Sequence, residues 1–190
     1  MRARMAVWQA GIAVALQEIS LRDKPPAMLA VSPKGTVPVL HDPSGLVLEE
    51  SLAIMRWALR QQDPDGWLHQ ADHPEHIQLI ETNDCDFKYW LDRYKYAERY
   101  PEFDAAHYRS KAVESLIVEL ERRLIQTKYL CGESPRLSDI AIFPFVRQFA
   151  AVDAVWFENS PYVATRAWLR GWLEGALFST IMDKRLAALA

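Results

Sequence analysis

The residues best suited to chemistry lie in two short stretches, Lys34-Gly35-Thr36-Val37-Pro38-Val39-Leu40 and Glu49-Glu50-Ser51-Leu52-Ala53-Ile54-Met55. From Ser51 onward, apolar residues recur at helical spacing (Leu52, Met55, Ala58, Leu59), so a helix is expected to start there. A helix N-terminus carries free N–H groups and the positive end of the dipole, and so favours an anion. The Glu50 carboxylate beside it suits an ammonium group. Val37-Pro38 opens an apolar run, where the missing proline N–H is tolerated only if a strand is just beginning. A cis bond at that pair would leave the Val37 backbone groups unpaired and facing outward. Exposed backbone, an anion site and a carboxylate together suit a small zwitterionic peptide.

These residues need elements to hold them. Val37 to Leu40 reads as a strand, Asp42-Pro43-Ser44-Gly45 as a hairpin turn and Leu46-Val47-Leu48 as the return strand. Upstream, Met1 to Ala10 reads as a helix stopped by Gly11. Val14 to Ile19 is strand-compatible, Leu21-Arg22-Asp23-Lys24 is a charged loop, and Pro25-Pro26 opens a brief helical turn over Ala27-Met28-Leu29. This gives a small α/β domain over residues 1–62. Gln62-Asp63-Pro64-Asp65-Gly66 breaks the pattern, so 63–73 reads as a linker.

Residues 74–190 read as an all-helical domain. A long helix runs from Pro74 to about Tyr94 with Ile77, Ile80, Phe87, Trp90 and Leu91 inward. Asp104 caps the next, which reaches Leu124 through Val113, Leu116, Ile117 and Leu120. Leu137-Ser138-Asp139 opens a helix over Ile140 to Ala150, and Tyr162 to Leu173 and Thr180 to Leu189 are two more.

The chain has 190 residues and a mass of 21.8 kDa, enough for two small cores. A net charge of −3 gives no reason to expect a nucleic-acid partner. No apolar run is long enough to span a membrane. The basic, then apolar start Met1 to Trp8 is interrupted by Gln9, Gln17 and Glu18, unlike a signal peptide. Two separated cysteines, Cys85 and Cys131, fit a reducing cytoplasmic compartment. Cys85 shares helical spacing with Ile77 and Leu91 and is expected inside, whereas Cys131 beside Gly132 is a candidate rim thiol. His69, His73 and His76 would share a helical face, but Gly66 and Pro74 place them in linker, and no metal site is expected.

Lys-Gly-x-Val-Pro-Val-Leu followed by Glu-Ser-Leu-Ala-Ile-Met resembles the glutathione-binding half of the glutathione transferase superfamily. Ser138-Asp139-Ile140-Ala141-Ile142-Phe143-Pro144 resembles the helix start of that family's C-terminal domain. The resemblance implies a thioredoxin-like domain followed by a helical bundle. It implies that Val37 before cis-Pro38 pairs through its backbone with the cysteinyl part of glutathione, and that Glu50 and Ser51 hold the γ-glutamyl end. It gives Lys24 the glycyl carboxylate, a role that suits a long cation at a site rim. Lys34 is expected to be a surface loop cation. Asp139 is expected to be structural, although Arg136 stands where the family places Ser or Thr. The aromatic stretch Phe87 to Tyr96 is placed opposite glutathione, where an apolar electrophile would bind.

In the family the catalytic Cys, Ser or Tyr lies at the N-terminus of the first helix, just after a first strand. Met1-Arg2-Ala3-Arg4 already resembles the body of that helix. The expectation is therefore a chain lacking that strand and residue, through a displaced start more than through true loss. The catalytic residue stays unassigned. The expected function is a cytoplasmic, homodimeric glutathione transferase-like enzyme that conjugates glutathione to a small electrophile or exchanges it with a disulfide. The alternative is a non-catalytic interaction module of the same fold.

Overall fold

The computed structural model describes residues 1–183, which divide into two units, one of Met1–Pro64 with the chain from Gly175 onward and one of Asp65–Glu174. In the first unit, α1 (Arg2–Gln9) stops before Gly11, whose φ is +63°. Its Met5 and Ala6 are fully buried, and α1 packs on α3 (Ser51–Gln61). On α3 the apolar spacing read from the sequence buries Ile54, Met55, Ala58 and Leu59. Between them lie α2 (Pro26–Val31) and an antiparallel pair, β1 (Leu40–His41) and β2 (Val47–Leu48), with Leu40 opposite Leu48. The turn forms where expected. The Asp42 carboxylate accepts the N–H groups of Ser44 (2.8 Å) and Leu46 (3.0 Å), and Gly45 takes φ +91°, a region that favours glycine.

Two strand expectations are corrected. Val14 to Ile19 forms no strand, and the first hairpin strand begins at Leu40 instead of Val37. A strand needs a neighbour to take its N–H and C=O groups, and β1–β2 is the one sheet among the described residues. The chain near Val14 is accordingly irregular and exposed, with one isolated bridge, Ser20 to Asp23.

The second unit is helical. α4 (Pro74–Thr82), a π-helical turn (Asn83–Phe87) and α5 (Lys88–Lys95) follow without a break over the predicted long helix. The buried face runs through the π turn at spacings of three and four. Thus His76, Leu79, Ile80, Asn83, Phe87, Leu91 and Tyr94 are buried. Ile77 and Cys85, expected inside, are exposed. The same device recurs between α6 (Ala105–Ala112) and α7 (Val118–Leu124), as Val113–Ile117. The Asp104 carboxylate accepts the His107 N–H at 2.7 Å, the expected cap.

The central helix is α8 (Leu137–Val152), flanked by α9 (Ala154–Glu158), which was not expected, and α10 (Val163–Glu174). Its Phe149 ring lies 5.6 Å from Phe87 and 5.5 Å from Tyr94, a well-packed aromatic cluster. The fully buried Asp139 organises its first turn. Oδ1 accepts from Leu130 N (3.0 Å) and Trp168 Nε1 (3.0 Å), and Oδ2 from Arg136 N (2.9 Å). A guanidinium has no lone pair to return, so Arg136 contributes its carbonyl to the Asp139 N–H instead, at 3.0 Å. Within the stretch 63–73, Trp67 and Ala71 are buried, and the Trp67 carbonyl accepts from Leu137 N at 2.8 Å. The last described helix, α11 (Ala176–Met182), packs on α1 within the first unit. The remainder of the helix expected to reach Leu189 lies outside the described residues. No described helix is long and apolar enough to cross a membrane.

Candidate functional site

The sequence-predicted site residues all belong to the first unit. The loop after α2 turns through Gly35, which is buried with φ +61°. The next residues carry the chain to Val37, and the Val37–Pro38 peptide bond is cis. Val37 is 47% exposed, and neither its N–H nor its C=O is bonded to another described residue. The hairpin then returns the chain to Glu49 and Glu50, and α3 starts at Ser51. Glu50 is extended (φ −109°) and its side chain does not cap the helix. The Ser51, Leu52 and Ala53 N–H groups therefore precede the first intrahelical bond, from Ile54 N to Glu50 O at 3.0 Å.

Two side-chain contacts tie the loop to the start of α3. The Ser32 hydroxyl, fully buried, donates to Glu49 Oε1 at 2.5 Å. Lys34 Nζ donates to Glu50 Oε1 and forms an ion pair with it. Sequence reading treated Lys34 as a bystander, because a partner sixteen residues away leaves no trace in local spacing. That hydrogen bond from Lys34 to Glu50 is the main cause that raises the Lys34 pKa. Lys24 lies against Gly35, its Nζ 3.4 Å from where a Cβ would sit. The segments on either side of α2 thus bring Lys24 and Lys34 into the unit that also holds exposed backbone, a carboxylate and a helix N-terminus. That set can take a ligand with carboxylates, an amine and an amide.

Gly35 is the hinge of this arrangement. A Cβ there would stand 3.2 Å from Leu29 Cδ2 as well as occupying a left-handed backbone. Gly35→Ala should cost about 1–2 kcal/mol in urea unfolding. An unchanged midpoint would mean that the loop does not need this conformation.

The two thiols lie elsewhere, both in the second unit. Burial pushes the Cys131 thiol up, and the Ser138 hydroxyl lies 3.5 Å from its sulfur. His73 caps α4, its Nδ1 accepting from Glu75 N at 3.4 Å, while His76 is buried and 3.3 Å from the Ser138 hydroxyl. His69 lies outside α4, so the three histidines share no helix. Among the described residues no group of three His, Cys, Asp or Glu side chains could hold a metal ion. In the aromatic stretch, Tyr89 and Trp90 meet edge to face at 4.8 Å and Arg93 lies over the Tyr89 ring.

Residues 1–61 match the family described as Glutathione S-transferase, N-terminal domain, and residues 102–174 match Glutathione S-transferase, C-terminal domain. The chain belongs to the glutathione S-transferase superfamily. Its fold is that of the family, a thioredoxin-like N-terminal domain with a small sheet followed by a helical domain. Solved structures agree. A glutathione S-transferase-I bound with lactoylglutathione is 24% identical, with a TM-score of 0.75 over 100% of this chain and 93% of that one. The glutathione transferase URE2P6 from Phanerochaete chrysosporium, in complex with oxidized glutathione, is 18% identical, with a TM-score of 0.80 over 97% of this chain and 90% of that one. A curated relative, elongation factor 1-gamma 2 of Oryza sativa subsp. japonica, is 28% identical over 74% of this chain and 35% of its own length. The chain spans about a third of that relative.

Proposed function

We propose that the chain binds glutathione in its first unit and presents the thiol to a small electrophile or disulfide. The observation that carries this is the unbonded Val37 backbone before the cis bond to Pro38, in the same unit as the start of α3 with Glu50 and Ser51. In this reading Val37 pairs with the cysteinyl amide. The Ser51 hydroxyl and the free N–H groups of α3 take the γ-glutamyl carboxylate. Glu50 exchanges its partner Lys34 for the γ-glutamyl ammonium, and Lys24 takes the glycyl carboxylate. Conjugation would form a sulfur–carbon bond while the electrophile's leaving group departs with its electron pair and the thiol proton passes to solvent. The thiol-activating group is unassigned. Neither Cys85 nor Cys131 is proposed for it, since both belong to the second unit. The protein is proposed to work in the cytoplasm as a homodimer.

A second reading is favoured by the elongation-factor relative, whose name is not that of a transferase. Here the same fold serves as a binding module. Calorimetry with glutathione tests the site, and turnover of an aryl halide with glutathione separates the readings. Glu50→Ala and Ser51→Ala should each weaken glutathione binding by about 1–3 kcal/mol through loss of a charge-assisted bond. Unchanged affinity in both would remove the site assignment. Binding without turnover would favour the module.

A further inference from the structure

The second unit holds a recess of about 420 Å³ that the glutathione proposal does not use. It is lined by Tyr94 from α5, Arg109 from α6 and the chain joining α8 to α9, including Val152, Asp153 and Val155. Its size falls in the range of small-molecule sites.

Two polar groups there face each other and are incompletely bonded. Tyr94 is 4% exposed, its ring packed on Phe149, and its buried hydroxyl faces the Arg109 guanidinium without a hydrogen bond of good geometry. A buried hydroxyl left unbonded is costly, and such groups in folded proteins usually have a reason. The Arg109 side chain is 22% exposed, and its guanidinium carbon lies over the Trp156 ring, 4.4 Å from its centroid. Its ion pair with Asp153 is loose, 3.6 Å to Oδ2, and its other polar neighbour is the Tyr94 hydroxyl. The other Asp153 oxygen is engaged, accepting from Trp156 N at 2.9 Å to cap α9. Burial raises the Tyr94 pKa, so the hydroxyl stays protonated and can donate.

We propose that this recess binds a small monocarboxylate with an apolar body. The ligand carboxylate takes the fork of Arg109 and the Tyr94 O–H, and its apolar part lies on Val152 and Val155. A planar guanidinium matches a carboxylate with two parallel bonds. The fit also satisfies the orphan hydroxyl. Asp153 is the internal competitor: its Oδ2 yields Arg109 to the ligand while Oδ1 keeps the helix cap. The site lies wholly in the second unit and does not rest on glutathione binding.

The experiment titrates the intact protein with phenylacetate by calorimetry, with phenylacetamide and sulfate as controls. Saturable binding of phenylacetate alone is expected. Tyr94→Phe and Arg109→Gln should each weaken it about tenfold or more, as loss of a bond to a charged group does. Asp153→Asn keeps a capping oxygen, removes the competing charge and should tighten binding. Tyr94→Phe also gives a readout that misfolding cannot mimic. Without ligand it should melt at or above the wild-type temperature, because it deletes an unsatisfied hydroxyl. With phenylacetate it should melt below the wild type. Absence of saturable binding overturns the proposal, as does equal binding of phenylacetamide. Equal response to sulfate overturns the apolar half. Weaker phenylacetate binding in Asp153→Asn would mean that Asp153 positions Arg109 instead of competing for it, which overturns the proposed exchange.

Discussion

Replacing Asp139 by Ala should destabilise the protein by about 3–5 kcal/mol in urea unfolding, because it leaves three buried donors without an acceptor. The three are Leu130 N, Arg136 N and Trp168 Nε1, each within 3.0 Å of the carboxylate. They come from the loop before α8, its N-cap and α10, so one side chain joins three segments. Asp139→Asn should cost less. Its remaining oxygen can still serve Leu130 and Trp168, while its amide would meet the Arg136 N–H donor to donor. A loss below about 1 kcal/mol for Asp139→Ala would mean that water replaces the carboxylate.

The same residue predicts a pH dependence. Burial is the main cause that pushes its pKa up from 3.8 to about 6, although all three donors act the other way. Between those two values the folded protein holds a proton that the unfolded chain has released. Stability from this group is therefore greatest at low pH, falls as pH rises through the window and is flat above it. His76 acts with the opposite sign. Burial lowers its pKa below 6.5, so its contribution falls as pH drops. The total curve mixes the two. The readout is the difference between wild type and Asp139→Asn, which should decline from pH 4 to pH 6. A difference that does not change with pH would mean that Asp139 is ionised throughout.

Much of this was legible in the sequence, and what was not has identifiable causes. The hairpin at Asp42 to Gly45 and the cap at Asp104 are local chemistry, fixed by a few neighbouring residues. So is the burial of α3, where one helical phase runs from end to end. Cys85 and Ile77 were misread because the buried stripe runs through the polar residues His76 and Asn83, which apolar spacing does not select. Val14 to Ile19 has strand composition, but composition supplies no pairing partner. Lys34 and Tyr94 show the limit most clearly. The Glu50 partner of one and the missing partner of the other are set by tertiary placement alone.

Glu121→Ala should cost about 2–4 kcal/mol, for a reason linked to Asp139. From α7, the Glu121 carboxylate accepts Ala164 N at 3.0 Å, and Thr165 N and Thr165 Oγ1 at 2.8 Å. These are first-turn donors of α10, which have no intrahelical acceptor, and a carboxylate there also meets the positive end of the dipole. Thr165 is fully buried, so water cannot easily take over. Glu121 thus fixes where α10 begins, and α10 in turn carries Trp168 to Asp139. If this chain of positions is real, Glu121→Ala should already loosen the bond that Trp168→Phe removes. The double variant should then lose about 1 kcal/mol less than the sum of the singles. Strict additivity in a double-mutant cycle would show that α10 is held by its apolar face, with the two polar anchors acting independently.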